Sequence, residues 1–306
     1  MTNEQYLNEV LTLQRLDDDS DEMQELQSHR ADVEALLRSA FEKSSPSIRY
    51  GGSKAKGTLI REDYDLDIIC YFPSTDTIAG DSLEDIYNNV HQCLDKTYYV
   101  TRKNSSLRLQ SKDPKVLGAD FHIDVVPGRY TDDTKGDCFI HQAMADKKRM
   151  KTNLQIHIDH IRNSEVVSAI RLLKLWKARR SLTIKQFAWE LLVIKLLEER
   201  KTQTLEEQLA HVWRTLRDAD HPVSIEDPAN PNGNNLNSLL ESVRNELSGA
   251  ADSTLRTIEN VGWKGIFGEL DATTASEKVS LLESAAVVTA SRTRPWFKKL
   301  DGETMA

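Results

Sequence analysis

The sequence predicts an α+β fold, a mixed-sheet lobe followed by a helical lobe. Two observations carry this. Between residue 48 and about 139, short apolar or alternating runs with a strand period are interrupted by a single helix. After about Met150 the apolar residues recur with the helical period almost to the end. We expect three units: N-terminal helices over 1–44 that brace both lobes, an α/β core over 45–150, and a helical lobe over 151–306.

Taken in order, residues 4–16 repeat Tyr6, Leu7, Val10, Leu11 and Leu13 at helical spacing. The acidic run 17–22 reads as a loop and helix start, where negative charge favours the exposed amides. A second helix is expected over 22–43, with Leu26, Val33, Leu36, Leu37, Ala40 and Phe41 on one side and Ser44-Ser45-Pro46 ending it. Strands are expected over 48–50, 66–72, 98–101, 107–109 and 121–126, the final strand of the lobe, with a helix over 83–94. Further helices are expected over 154–161, 165–180, 184–200, 205–217, 236–258 and 276–290. The stretch 221–235 is a loop by its Pro, Asn and Gly content. The tail 301–306 is expected to be flexible.

A net charge of −8 argues against charge-driven binding to long nucleic acid, which needs a wide basic face. Two basic islands remain, 147–151 and the series Arg171, Lys174, Lys177, Arg179 and Arg180; their place after the acidic motifs makes triphosphate contact plausible. No run is apolar enough to span a membrane, and Met1-Thr2-Asn3-Glu4 is not a secretion signal, so a cytoplasmic protein is expected. Cys70, Cys93 and Cys138 are an odd number without a CxxC pair, which favours reduced thiols over a zinc site.

The chemistry-bearing pattern lies in two pieces. Gly51-Gly52-Ser53 leads to Asp65-Leu66-Asp67, and His122-Ile123-Asp124 follows later. Strand side chains alternate, so Asp65 and Asp67 share a face, and Asp124 on another strand brings a third carboxylate. A charged Asp in an apolar strand is costly unless paired, and divalent cations are the natural remedy for three of them. All the ligands are hard oxygens, which suits magnesium, with manganese as a substitute. Gly52-Ser53-Lys54-Ala55-Lys56-Gly57 has the Gly-x4-Gly spacing, but Thr58-Leu59 follows where a P-loop needs Lys-Ser/Thr. A Gly-Ser turn entering a short helix can still hold phosphate through amides and a hydroxyl. His157 and His160 read as a surface pair, His122 as packing on the face of Asp124, and Trp176, Phe187 and Trp189 as helix core.

Gly52-Ser53-x-Ala55-x-Gly57-Thr58, Asp65-x-Asp67 and Asp124-Val125-Val126-Pro127 together resemble the polymerase-β-like nucleotidyltransferases, and within them the bacterial CD-NTases, relatives of cGAS and oligoadenylate synthases. Residues 171–177 and 263–268 support the narrower likeness, which runs from about 45 to 270. The resemblance implies a nucleotidyltransferase core with an oligoadenylate-synthase-like helical lobe. It implies two magnesium ions on Asp65, Asp67 and Asp124, with the phosphates of the incoming nucleotide on Gly52 and Ser53. Lys174 would approach the triphosphate, with Gln186 or Lys185 standing where relatives carry a small hydroxyl residue. The implied activity joins nucleoside triphosphates, ATP among them, into a cyclic di- or trinucleotide that activates a separate effector in anti-phage defence. A zinc-binding insertion for gripping DNA is missing, so double-stranded DNA sensing is not implied, and the tail is a candidate for conjugation. The rival readings are an RNA-extending enzyme of the CCA-adding kind, a toxin that nucleotidylates protein, and a scaffold with a decayed site.

Overall fold

The structure is a computed structural model and describes residues 1–115, 117–234 and 236–270. The expected helix over 276–290 and the tail 301–306 lie outside the described residues.

Helix α1 (Asn3–Leu13) is closed by a capping box in which the Thr2 hydroxyl accepts from the Gln5 amide. Helix α2 (Asp21–Ala40) starts on Ser20, which accepts from the Met23 amide, so the acidic run serves as a loop and cap. Strand β1 (Ser47–Tyr50) leads into the five-residue α3 (Gly52–Lys56), then β2 (Leu66–Phe72), α4 (Leu83–Asp95), β3 (Tyr98–Arg102), β4 (Leu107–Ser111) and β5 (Asp120–Tyr130). Two strands unforeseen in the sequence follow, β6 (Cys138–His141) and β7 (Arg149–Thr152). The sheet runs β1-β2-β5-β4-β3, with β6 joined to the far end of β5 and β7 to β6. Only β2 and β5 pair in parallel among the described strands; the other pairs are antiparallel.

β5 outruns its expected end at Val126. Pro127 lacks an N–H, yet it falls between the residues paired with β4, up to Val125, and those paired with β6, from Gly128. On that side of β5 Pro127 has no ladder partner, while on the other it stays in register with Cys70 of β2. Gly128 lets β6 approach, because a Cβ there would sit 2.7 Å from the Cys138 Sγ.

One face of the sheet carries Leu66, Ile68, Cys70, Phe72, Ile123 and Val125, and packs on α2 and α4. The opposite face carries Asp67, Ile69 and Tyr71 on β2 beside Asp124 and Val126 on β5, an alternation that follows from the strand period. The helical lobe comprises α5 (Leu154–Arg162), α6 (Val167–Arg179), α7 (Gln186–Leu196), α8 (Leu205–Arg217), α9 (Asn237–Val261) and the short α10 (Lys264–Phe267). Its core holds four tryptophans in a row, Trp189, Trp176, Trp213 and Trp263, with successive ring centroids 5.6–5.8 Å apart. α1 belongs to this core, through Tyr6, Leu7, Val10 and Leu11, whereas α2 belongs to the sheet. The three cysteines are free and buried. No described helix is long and apolar enough to cross a membrane.

Candidate active site

Asp67 on β2 and Asp124 on β5 are partners in the parallel register, and Arg108 on β4 is the antiparallel partner of Asp124. Partnered residues point to the same face, so the three form a row across adjacent strands. The ladder between β4 and β5 slips there: Arg108 pairs with Asp124 and Gln110 with Asp120, so residues 121–123 bulge opposite Leu109. His122, within the bulge, takes a left-handed φ of 53°, and its amide donates to the Asp120 Oδ1 at 2.8 Å. Its ring nitrogen Nδ1 lies 3.3 Å from an Asp65 oxygen, and its ring packs on Tyr64.

Arg108 is the residue the sequence did not disclose. Only 4% exposed, it donates from Nε and one terminal nitrogen to the two oxygens of Asp124, at 2.6 and 2.8 Å. The same terminal nitrogen donates to Asp65 at 2.8 Å, and the other lies 3.3 Å from Asp120. Lys103 adds a third bond to Asp124, at 3.0 Å. Burial opposes the Asp124 charge, but the Arg108 bond and charge, helped by Lys103, hold its carboxyl below the usual range. Burial likewise opposes the Arg108 charge, and its carboxylate partners raise it above the ordinary arginine value.

Asp67 differs. Among the described residues, no side chain donates a hydrogen bond to its carboxylate. Burial, then the charges of Asp124 and Asp65, push it up to about 7. Gly52 closes over it: φ is +50°, and a Cβ there would meet an Asp67 oxygen at 1.6 Å. The Gly51 amide donates to the Asp67 carbonyl at 2.8 Å, locking the turn to the strand. Close approach to the carboxylate therefore requires glycine at 52, while at 51 a Cβ would press on the Ile69 side chain at 2.8 Å.

Among the described residues, no group of three or more His, Cys, Asp or Glu is drawn together tightly enough to hold a metal ion. The physical reason is Arg108, which stands between Asp65 and Asp124 and takes their oxygens. The donor set still fits a hard divalent cation. Three carboxylates line one cleft, and Asp67, with no side-chain donor on its carboxylate, is pushed toward protonation by burial and by the charges of Asp124 and Asp65.

A cleft of about 500 Å³ opens above this row. Asp65, Asp67 and Asp124 line its floor, and Ser53, Lys174, Lys177 and residues 181–186 line its wall. Lys174 is only 1% exposed: it lies under the turn, and Nζ donates to the Ser53 hydroxyl and the Thr58 carbonyl, each at 2.9 Å. Gln186 opens α7 at the cleft edge, and both polar atoms of its amide are buried without a hydrogen-bond partner.

Several expectations need correction. Of the basic series along α6 and its C-cap, Lys174 and Lys177 reach the cleft, whereas Arg179 pairs with Glu62 and Arg180 approaches Ser253. The island 147–151 is not among the cleft residues; Arg149 and Lys151 belong to β7, and Lys151 pairs with Asp137. His157 is no surface residue paired with His160: it meets the buried Asp227 at 2.7 Å and packs on Phe187.

No family model and no curated protein matches the chain. Solved structures do. The E. coli MS115-1 CdnC with ATP superposes with a TM-score of 0.58 at 19% identity, over 80% of this chain and 91% of that one. The Bradyrhizobium diazoefficiens CD-NTase CdnG with GTP gives 0.62 at 15%, over 90% and 99%. The Vibrio cholerae cyclic AMP-GMP synthase DncV, a prokaryotic cGAS homolog, gives 0.57 at 14%, over 89% and 82%. The chain has the CD-NTase fold. The α+β architecture expected from the sequence is therefore observed, and the CD-NTase likeness extends through the helical lobe as well as the sheet.

Proposed function

We propose that the chain is a magnesium-dependent nucleotidyltransferase that joins nucleoside triphosphates into a cyclic di- or trinucleotide, releases pyrophosphate, and serves anti-phage signalling through a separate effector. The observation that carries this reading is the register of Asp67 beside Asp124 on the floor of the cleft, with the Ser53–Lys174 pair on its wall. The ATP and GTP bound to structural neighbours support triphosphates as the substrates.

Asp65, Asp67 and Asp124 would hold the metal. When bound, it supplies positive charge to the triphosphate and lowers the pKa of an acceptor hydroxyl. The chain's own residues do the rest. The Ser53 hydroxyl, held by Lys174, faces the cleft and orients the phosphates. Lys174 donates to that hydroxyl, so its charge reaches the anion through one intervening atom. Gly52 leaves the backbone free to approach the phosphates. Asp124, relieved of one of its bonds to Arg108, accepts the proton of the attacking ribose hydroxyl. Gln186, with an unpartnered donor and acceptor, offers its amide to the nucleotide.

The test is incubation with all four nucleoside triphosphates and magnesium, followed by mass spectrometry of phosphatase-resistant products. A cyclic product that vanishes in Asp65→Asn and Asp67→Asn, with the fold intact by circular dichroism, supports the reading. Label extending an added RNA, or appearing on protein, would replace it with a rival.

A further inference from the structure

Beneath the phosphate turn, behind Lys174, lies a buried carboxylate that the proposed chemistry leaves unused. Glu190 on α7 is 0% exposed. Its Oε1 accepts from the Thr58 hydroxyl at 2.6 Å, and its Oε2 pairs with the Lys56 ammonium. The Thr58 carbonyl in turn accepts from Lys174, which also donates to Ser53. A continuous path therefore runs from Glu190 through Thr58 and Lys174 to the Ser53 hydroxyl at the cleft. It joins α3 and its flanks to α6 and α7, so it links the two lobes.

We infer that Glu190 is a positioning residue for phosphate binding: its carboxylate supplies the counter-charge for Lys174 and fixes Thr58 and Lys56, so that a charged ammonium stands under Ser53. This rests on the proposed function for its phosphate half alone.

A buried ion pair is seldom more stabilising than an apolar substitute of the same shape, so packing alone is a weak reason for charge here. The stoichiometry suggests another. Two ammoniums, Lys56 and Lys174, stand about the wholly buried Glu190, and Lys56 takes its carboxylate directly. The groups that face Lys174 are Glu190 on α7, Asp63 before β2, Lys56 on α3 and Lys177 on its own helix. Burial lowers Lys174 to about 8, while Glu190 and then Asp63 work the other way. Lys56 and Lys174 hold Glu190 ionised against its burial. Without the Glu190 charge, Lys174 loses its main support and releases its proton near neutral pH.

The experiment uses the full chain labelled with ε-13C lysine, with Lys174→Met identifying the signal. In nucleotide-free protein, Glu190→Gln is expected to lower the titration midpoint of Lys174 by about one pH unit or more, whereas Glu190→Asp largely restores it. Affinity for a non-hydrolysable ATP analogue at pH 7.5 is expected to weaken roughly tenfold in Glu190→Gln, and the deficit should shrink as the pH is lowered. Lys56→Met, which removes a like charge, is expected to act oppositely and raise the midpoint; it also serves if Glu190→Gln does not fold. An unmoved midpoint in both variants overturns the inference. So does a weakening of affinity that is independent of pH, which marks a merely structural role. If the wild-type chain binds no analogue while the midpoints shift as stated, the charge coupling stands and the proposed function falls.

Discussion

A Cβ on Gly52 would lie 1.6 Å from an Asp67 oxygen, at a φ that side chains rarely adopt. Gly52→Ala must therefore displace either the turn or the carboxylate. A displacement of about 1 Å at reacting groups lowers rates by about a hundredfold, and that loss in product formation, with melting little changed, is the expected outcome. Asp67 sets a pH dependence. Because its folded value is raised to about 7, the metal-free native state binds more protons than the unfolded chain between the ordinary carboxylate value and 7. This group's contribution to stability thus falls as pH rises through that window. A cation competes with the same proton, so calorimetry should show magnesium affinity dropping as pH falls below about 7, and Asp67→Asn should abolish that dependence. The aspartates were legible because a period of two puts Asp65 and Asp67 on one face, and because apolar neighbours made their charges conspicuous. Arg108 was not. Leu107-Arg108-Leu109 announces a strand, but only the pairing of β4 with β5, and the bulge within it, brings the guanidinium to Asp124.

At the scale of elements, α8 to α10 close over a core centred on Trp213, which is fully buried against Trp176, Trp263 and Phe267. Trp213→Ala removes the middle of that row. It is expected to destabilise the helical lobe by about 3–5 kcal/mol, a fall in Tm of roughly 10 °C by calorimetry. The helices were readable since their apolar stripes are long; α8 spans Leu205–Arg217, the range its pattern indicates. β6 and β7 were not, being four residues each, and β7 reads as a basic island because Arg149 and Lys151 alternate with Met150 and Thr152. Pro127-Gly128 looked like the end of β5; that a proline can sit between two ladder partners depends on the neighbours, not on the strand itself.

For the whole molecule, Arg108 has a consequence in how the protein passes between empty and charged states. Its guanidinium, together with the Lys103 ammonium on Asp124, already supplies positive charge to Asp65 and Asp124, so the sheet does not depend on an ion to close. Prolonged treatment with a chelator should leave the melting profile nearly unchanged. In Arg108→Leu the same treatment should leave the buried Asp124 facing its carboxylate neighbours and destabilise the protein by about 3–5 kcal/mol, recovered in part by millimolar magnesium. On the proposed function, loading would exchange one resident cation for incoming ones, and the empty protein would keep its fold while it waits for magnesium.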